Sequence, residues 1–261
     1  MRGGRTMKFP GSLVYYLLFG FYLSTLAWLK QTSTRDRLVV EKIGWVDLSA
    51  YLSWMMRHIG LPQNALIVLE SRLLGTIGVI EPRMSEFMKS RQGAVFVDVG
   101  SYHGHYSLLL NRNFKEIVAV EPVPKNADFL NTVIAYRKVT NIRIVRMAAS
   151  RQNGASGLRI MPQPSESKLL PQEFGNESSI KVETIRLDSL LGEYRSVDLV
   201  KLDVEGAEFD ALEGASGSMT KIHSWLIELH GQGRAAVLEH HMRSNGYMLY
   251  WVDSNHLFAY R

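Results

Sequence analysis

The hydrophobic pattern of this chain changes character twice. From Phe9 to Leu29 runs an apolar stretch of 21 residues with no charged side chain. A helix of roughly 20 such residues crosses the hydrocarbon layer of a bilayer. The pattern therefore predicts an N-terminal membrane-anchor helix over 1–31, with Trp28 near one end as an interfacial anchor. Thr25 and Ala27 would also suit a signal-peptide cleavage site, but the apolar run is long for such a core. Between 32 and 92 the signal softens. Leu48, Leu52, Met55, Met56 and Ile59 recur at helical spacing, and Pro82 opens "EPRMSEFMKS", where proline suits a first helical turn. This region reads as a helical preface packed on the domain that follows.

After Gly93 short apolar runs alternate with helical patterns, marking a domain over 93–261. "AVFVDVG", "EIVAVEP", "NIRIVRMAA", "SVDLVKLDVEG" and "IHSWLIELHG" read as strands, while "HYSLLLNRN", "NADFLNTVIAYRKV" and "AEFDALEGA" read as helices. "GYMLYWV" and "HLFAYR", split by Asp253, Ser254 and Asn255, read as a closing antiparallel hairpin. Strand–helix alternation with near-continuous apolar strands predicts a doubly wound α/β fold, Rossmann-like, with a mostly parallel sheet covered on both faces. The Pro/Ser/Gly-rich stretch from Arg151 to Ser179 is expected to loop over the surface.

Composition narrows the chemistry. The chain has no cysteine, which removes disulfides, thiolate metal sites and cysteine nucleophiles. Its net charge of +5 is spread without a Lys/Arg run, so no nucleic-acid partner is expected. No feature sets an oligomeric state.

In open α/β sheets ligands bind beyond the carboxyl ends of the strands. Asp98, Glu121, Asp203, Glu228 and His230 all fall at predicted strand ends, so four acids and a histidine are expected on one rim. Gly100 and Gly104 allow a tight turn and close approach to a ligand. Glu121 stands 23 residues past Asp98, where a dinucleotide fold keeps its ribose-binding acid. "GSYHG" lacks the third glycine of that fold's fingerprint, and a carboxylate at Asp98 would repel a pyrophosphate. That disfavours an NAD-dependent oxidoreductase and favours a ligand with a positive end, such as S-adenosylmethionine. Asp203, Glu228 and His230 also form an O/N set of the kind a hard cation takes, although no ligand-spacing signature supports a metal.

In order and spacing, "FVDVGSYHGHYSL", "VAVEPVPKNADFLN", "IRLDSLL", "VDLVKLDVEGAEFDALEGA" and "LIELH" resemble the FkbM-type methyltransferases, over about Gly78 to His230. The resemblance implies a class I, S-adenosylmethionine-dependent O-methyltransferase acting on a hydroxyl of a glycan, glycolipid or related small molecule. It implies cofactor binding by Asp98, Gly100 and Glu121, to which the turn geometry adds Tyr102 and Gly104, and a "DVEGAE" signature of Asp203, Glu205 and Glu208. Tyr102 and His103 depart from the family's usual Asn and Ile. Asp203 and His230 are the expected catalytic groups, since a hydroxyl needs a base within hydrogen-bond reach. A non-catalytic S-adenosylmethionine-binding module is the alternative. Because the cofactor is made in the cytoplasm, a single-pass membrane protein with a cytoplasmic catalytic domain is expected.

Overall fold

The computed structural model describes residues 82–159, 168–170, 179–231 and 233–261. The predicted anchor, 1–31, and most of the helical preface lie outside these residues. Among the described residues no helix is long and apolar enough to cross a membrane.

The preface ends in helix α1 (Pro82–Lys89). Seven strands then form the main sheet: β1 (Gly93–Val99), β2 (Phe114–Val120), β3 (Ile142–Val145), β8 (Leu199–Leu202), β9 (Ser224–Glu228), β10 (Met248–Trp251) and β11 (His256–Tyr260). Their order is β10-β11-β9-β8-β1-β2-β3. The pairs β1–β2, β2–β3, β1–β8 and β8–β9 are parallel, whereas β11 runs antiparallel to both β9 and β10. The closing hairpin is therefore at one edge, as its turn residues predict, but the last strand is inserted inside β10 rather than outside it. Chain order reverses between β1 and β8, and this crevice is where ligands of such sheets bind.

Side-chain alternation divides the core. Val95, Val97 and Val99 of β1 face one layer with Val118, Val200, Leu202, Trp225 and Ile227. That layer is closed by helices α4 (Leu187–Leu190), α5 (Glu208–Glu213) and α6 (Ala235–Ser244), which contribute Leu187, Leu212 and Leu238. Phe96 faces the other layer with Ile117, Leu199, Leu226 and Phe258, beneath Met84 and Met88 of α1 and Tyr106 of α2 (His105–Leu109). Helix α3 (Pro124–Arg137) connects β2 to β3 and buries Leu130 and Val133.

Two expectations are corrected. "NIRIVRMAA" is not one strand. It breaks after Val145, and β4 (Ala148–Ala149) leaves the main sheet for a second one. The Arg151–Ser179 stretch is not wholly a loop, because β5 (Gly154–Arg159) and β6 (Lys168–Leu170) lie within it. With β7 (Ser179–Ile185) they form a sheet of order β4-β7-β5-β6. Pairing of β5 with β7 over six residue pairs satisfies the backbone that its two glycines and one serine could not stabilise by side-chain burial.

Candidate active site

The turn after β1 is built from left-handed backbone. Gly100, Tyr102 and Gly104 have φ of 79°, 50° and 78°. A Cβ at Gly100 would drive into the carbonyl oxygen of Asp203, and one at Gly104 into the side chain of Leu130. These glycines are demanded by packing as well as by dihedral angle. Gly100 thus presses the turn directly against the residue that follows β8, joining the two halves of the rim. At non-glycine Tyr102 the left-handed backbone is held by its N–H, which donates to Glu121 Oε2 at 2.9 Å. Its ring stacks on His103 at 3.9 Å between centroids, and His103 meets Phe129 of α3 at 4.4 Å. Burial pushes His103 down to about 4 despite a hydrogen bond with Asn126, so its ring is neutral at physiological pH.

Glu121 follows β2 immediately and is only 4% exposed. Its Oε1 accepts from the Val123 N–H at 2.9 Å and Asn126 Nδ2 at 3.0 Å. Three local donors are thereby used, leaving one lone-pair site on Oε2. Burial pushes this carboxyl up to about 7, against the pull of those donors.

Asp98 is not on the rim. β1 continues one residue further, to Val99, and the alternation turns Asp98 under α2, where it is 1% exposed. Its Oδ2 accepts from the backbone N–H and hydroxyl of Ser107, at 3.0 and 2.6 Å, while buried Oδ1 has no hydrogen-bond partner among the described residues. Burial raises its carboxyl above the usual range, opposed by Lys201 and Ser107.

Lys201, which sequence reasoning passed over, lies opposite Asp98 in the β1–β8 register and is 3% exposed. Its Nζ donates to Asp203 Oδ2 at 2.8 Å. Burial works to lower the lysine, yet Asp203 and Asp98 outweigh it and hold Lys201 above its ordinary value. In turn burial would raise Asp203, but the charge and hydrogen bond of Lys201 dominate and hold it below the usual carboxylate range. A signal was present in "KLDV": a charge inside an otherwise apolar strand, two residues before an acid and across from another.

Asp203, Glu228 and His230 converge as predicted, each offering one atom within 4.8 Å of the others. Glu205 joins them from a turn in which it and Gly206 have φ of 52° and 103°. His230 Nδ1 is 2.9 Å from Glu208 Oε1, and its Nε2 is 3.4 Å from Glu205 and 3.6 Å from Glu228. The hydrogen bond to Glu208 first, then the surrounding carboxylates, push His230 up to about 9 against burial, so it is an imidazolium at neutral pH. His256 Nε2 lies 3.3 Å from the other oxygen of Glu228.

The site has two parts: a glycine turn fit for close backbone approach, over a buried carboxylate, and an acidic rim beside it holding an ionised Asp203. An elongated ligand with a positive centre and ribose hydroxyls matches the first part. Asp98 lies buried beneath the turn, and Glu121 stands at the neighbouring strand end.

The sequence matches the family model of the methyltransferase FkbM domain over residues 98–251, well over half the chain. It is 29% identical over 152 residues to "Methyltransferase sdnD" of Sordaria araneosa, covering 45% of this chain and 59% of that protein. It is 26% identical over 144 residues to "Hexuronic acid methyltransferase AglP" of Haloferax volcanii, covering 54% of this chain and 58% of that one. The chain thus spans less than two thirds of the length of the curated relatives it matches. The solved structure of M. capricolum TrmK with S-adenosylhomocysteine aligns over 68% of this chain and 66% of its own, at 14% identity and a TM-score of 0.40. On the match over 98–251, which contains the glycine turn, Glu121, Asp203 and His230, the chain belongs to the FkbM family of S-adenosylmethionine-dependent methyltransferases.

Proposed function

We propose that this chain O-methylates a hydroxyl of a glycan, glycolipid or related small molecule. The observation that carries the reading is the packing of the Gly100 turn against the backbone carbonyl of Asp203, the residue whose carboxylate Lys201 holds ionised. S-adenosylmethionine, when bound, supplies a methyl group already activated on a sulfonium. The chain's residues must hold the acceptor and relieve it of a proton. Gly100, Tyr102 and Gly104 shape the backbone cradle, Asp98 ties its underside to Ser107, and Glu121 offers its remaining lone pair to a ribose hydroxyl. Asp203 receives the acceptor's proton, because it is the rim group held ionised by a buried cation. His230, already protonated, cannot act as that base; it serves as a donor toward the acceptor oxygen. Alignment of acceptor and donor accounts for most of the rate, an effect worth roughly 7–11 kcal/mol in well-oriented systems.

A sugar hydroxyl is supported by the printed activity of the Haloferax relative, a hexuronic acid methyltransferase. The uncharged span Phe9–Leu29 supports tethering at a membrane, with the catalytic domain on the cytoplasmic side where the cofactor is made. Mass spectrometry of glycan and lipid extracts from cells with and without the gene tests the acceptor class. One-methyl mass shifts confined to hydroxyl-bearing glycans or glycolipids are expected. Shifts on nitrogen or carbon, or no shift, would refute it.

A further inference from the structure

Glu208 opens α5 and is 0% exposed, yet its carboxylate points back toward the rim. Its Oε1 accepts from the Gly206 N–H at 2.7 Å and from His230 Nδ1 at 2.9 Å. One buried oxygen therefore ties together two pieces of the site: the left-handed Glu205–Gly206 turn after β8 and the imidazole after β9. A carboxylate only accepts hydrogen bonds, so Nδ1 donates its hydrogen to Glu208, and Nε2 is turned to the opposite side. There it faces Glu205 and Glu228.

We propose that Glu208 is a positioning residue for methyl transfer: it fixes the His230 ring so that Nε2–H points to the acceptor side of the rim, beside Asp203. The proposal rests on the O-methyltransferase reading above. Glu208 touches neither acceptor nor cofactor in this scheme. It acts through His230, which donates from Nε2 to the acceptor oxygen while Asp203 takes the proton. The groups around the ring are Glu208, Glu205, Glu228 and Asp203, with Lys201 on the far side of Asp203 and Arg234 donating to the Gly206 carbonyl at 3.4 Å. Without Glu208 the ring would be free to turn either nitrogen to the acidic groups in front of it.

The test uses the full chain carrying Glu208→Gln or Glu208→Ala, with nitrogen-detected imidazole NMR and the His230 signals assigned through His230→Gln. In the wild type both His230 nitrogens should be protonated at neutral pH, with Nδ1–H in a hydrogen bond. Glu208→Gln retains an acceptor for Gly206 but should release the His230 proton at a lower pH. Turnover should fall on the order of a hundredfold in Glu208→Ala, and less in Glu208→Gln, with S-adenosylmethionine affinity unchanged. An unaltered His230 spectrum in Glu208→Gln would overturn the proposal, even if melting temperature falls, because that is a purely structural role. Unaltered turnover in both variants would also overturn it. The NMR readout needs no acceptor, so the two failures are distinguishable: no methyl transfer by the wild type overturns the functional reading and the positioning role with it, whereas an unaltered spectrum in Glu208→Gln beside an active wild type overturns the positioning role alone.

Discussion

At the scale of residues, the site is organised by one cation placed where a strand would ordinarily carry an apolar side chain. Lys201 acts on both Asp98 and Asp203; it outweighs burial at Asp203, whereas at Asp98 burial still wins. It keeps Asp203 ionised and only partly offsets the burial of Asp98. Among the described residues no cation offsets the burial of Glu121, which sits near 7, so its charge changes within the physiological range. A group raised from 4.5 to about 7 makes the fold most stable below its unfolded value, and that advantage is lost as pH rises through about 7. Cofactor affinity should run the other way. If ionised Glu121 accepts from a ribose hydroxyl, calorimetry should show S-adenosylmethionine binding tighten as pH rises through about 7. Glu121→Gln should flatten that dependence and weaken binding at alkaline pH by about 1.5–3 kcal/mol, the range for hydrogen bonds to charged groups. A pH dependence retained in full by the variant would exclude Glu121 as the titrating group.

At the scale of elements, the decisive unit is the β1–turn–α2 segment pressed against the end of β8. Gly100→Ala would meet the Asp203 carbonyl and demand a positive φ, so the variant should be destabilised by about 1–3 kcal/mol or more and should lose cofactor binding. Denaturant unfolding and calorimetry check both, and a stable variant of normal affinity would contradict the packing described. The main sheet was legible in the sequence because its buried parallel strands are continuous apolar runs set apart by helical periods. The second sheet was not, because β4 has two residues and β5 is rich in glycine and serine, leaving no periodic signal. The acidic rim was legible from strand ends at Asp203, Glu228 and His230. Asp98 was misplaced by one residue of strand length, which in an alternating strand means the opposite environment. The Glu208–His230 bond joins residues 22 apart across two elements, and no local pattern announces such a pairing.

At the scale of the whole molecule, the apolar span Phe9–Leu29 precedes the α/β domain in the sequence. Removal of Met1 to Lys30 should release a soluble domain that binds S-adenosylmethionine normally but methylates a membrane-held acceptor poorly, because tethering raises local concentration. In right-side-out vesicles the carboxyl-terminal domain should be protected from protease and should pellet with membrane. Cleavage after Ala27, or accessibility from outside, would contradict the proposed cytoplasmic, single-pass arrangement. The most direct measurement is transfer of isotopically labelled methyl from S-adenosylmethionine to glycan and glycolipid acceptors by the purified chain, compared with Asp203→Asn. The account predicts label in O-methyl ethers with the wild type, and turnover sharply reduced in the variant while cofactor affinity stays nearly the same. Label in no hydroxyl acceptor, or full turnover by Asp203→Asn, would contradict it.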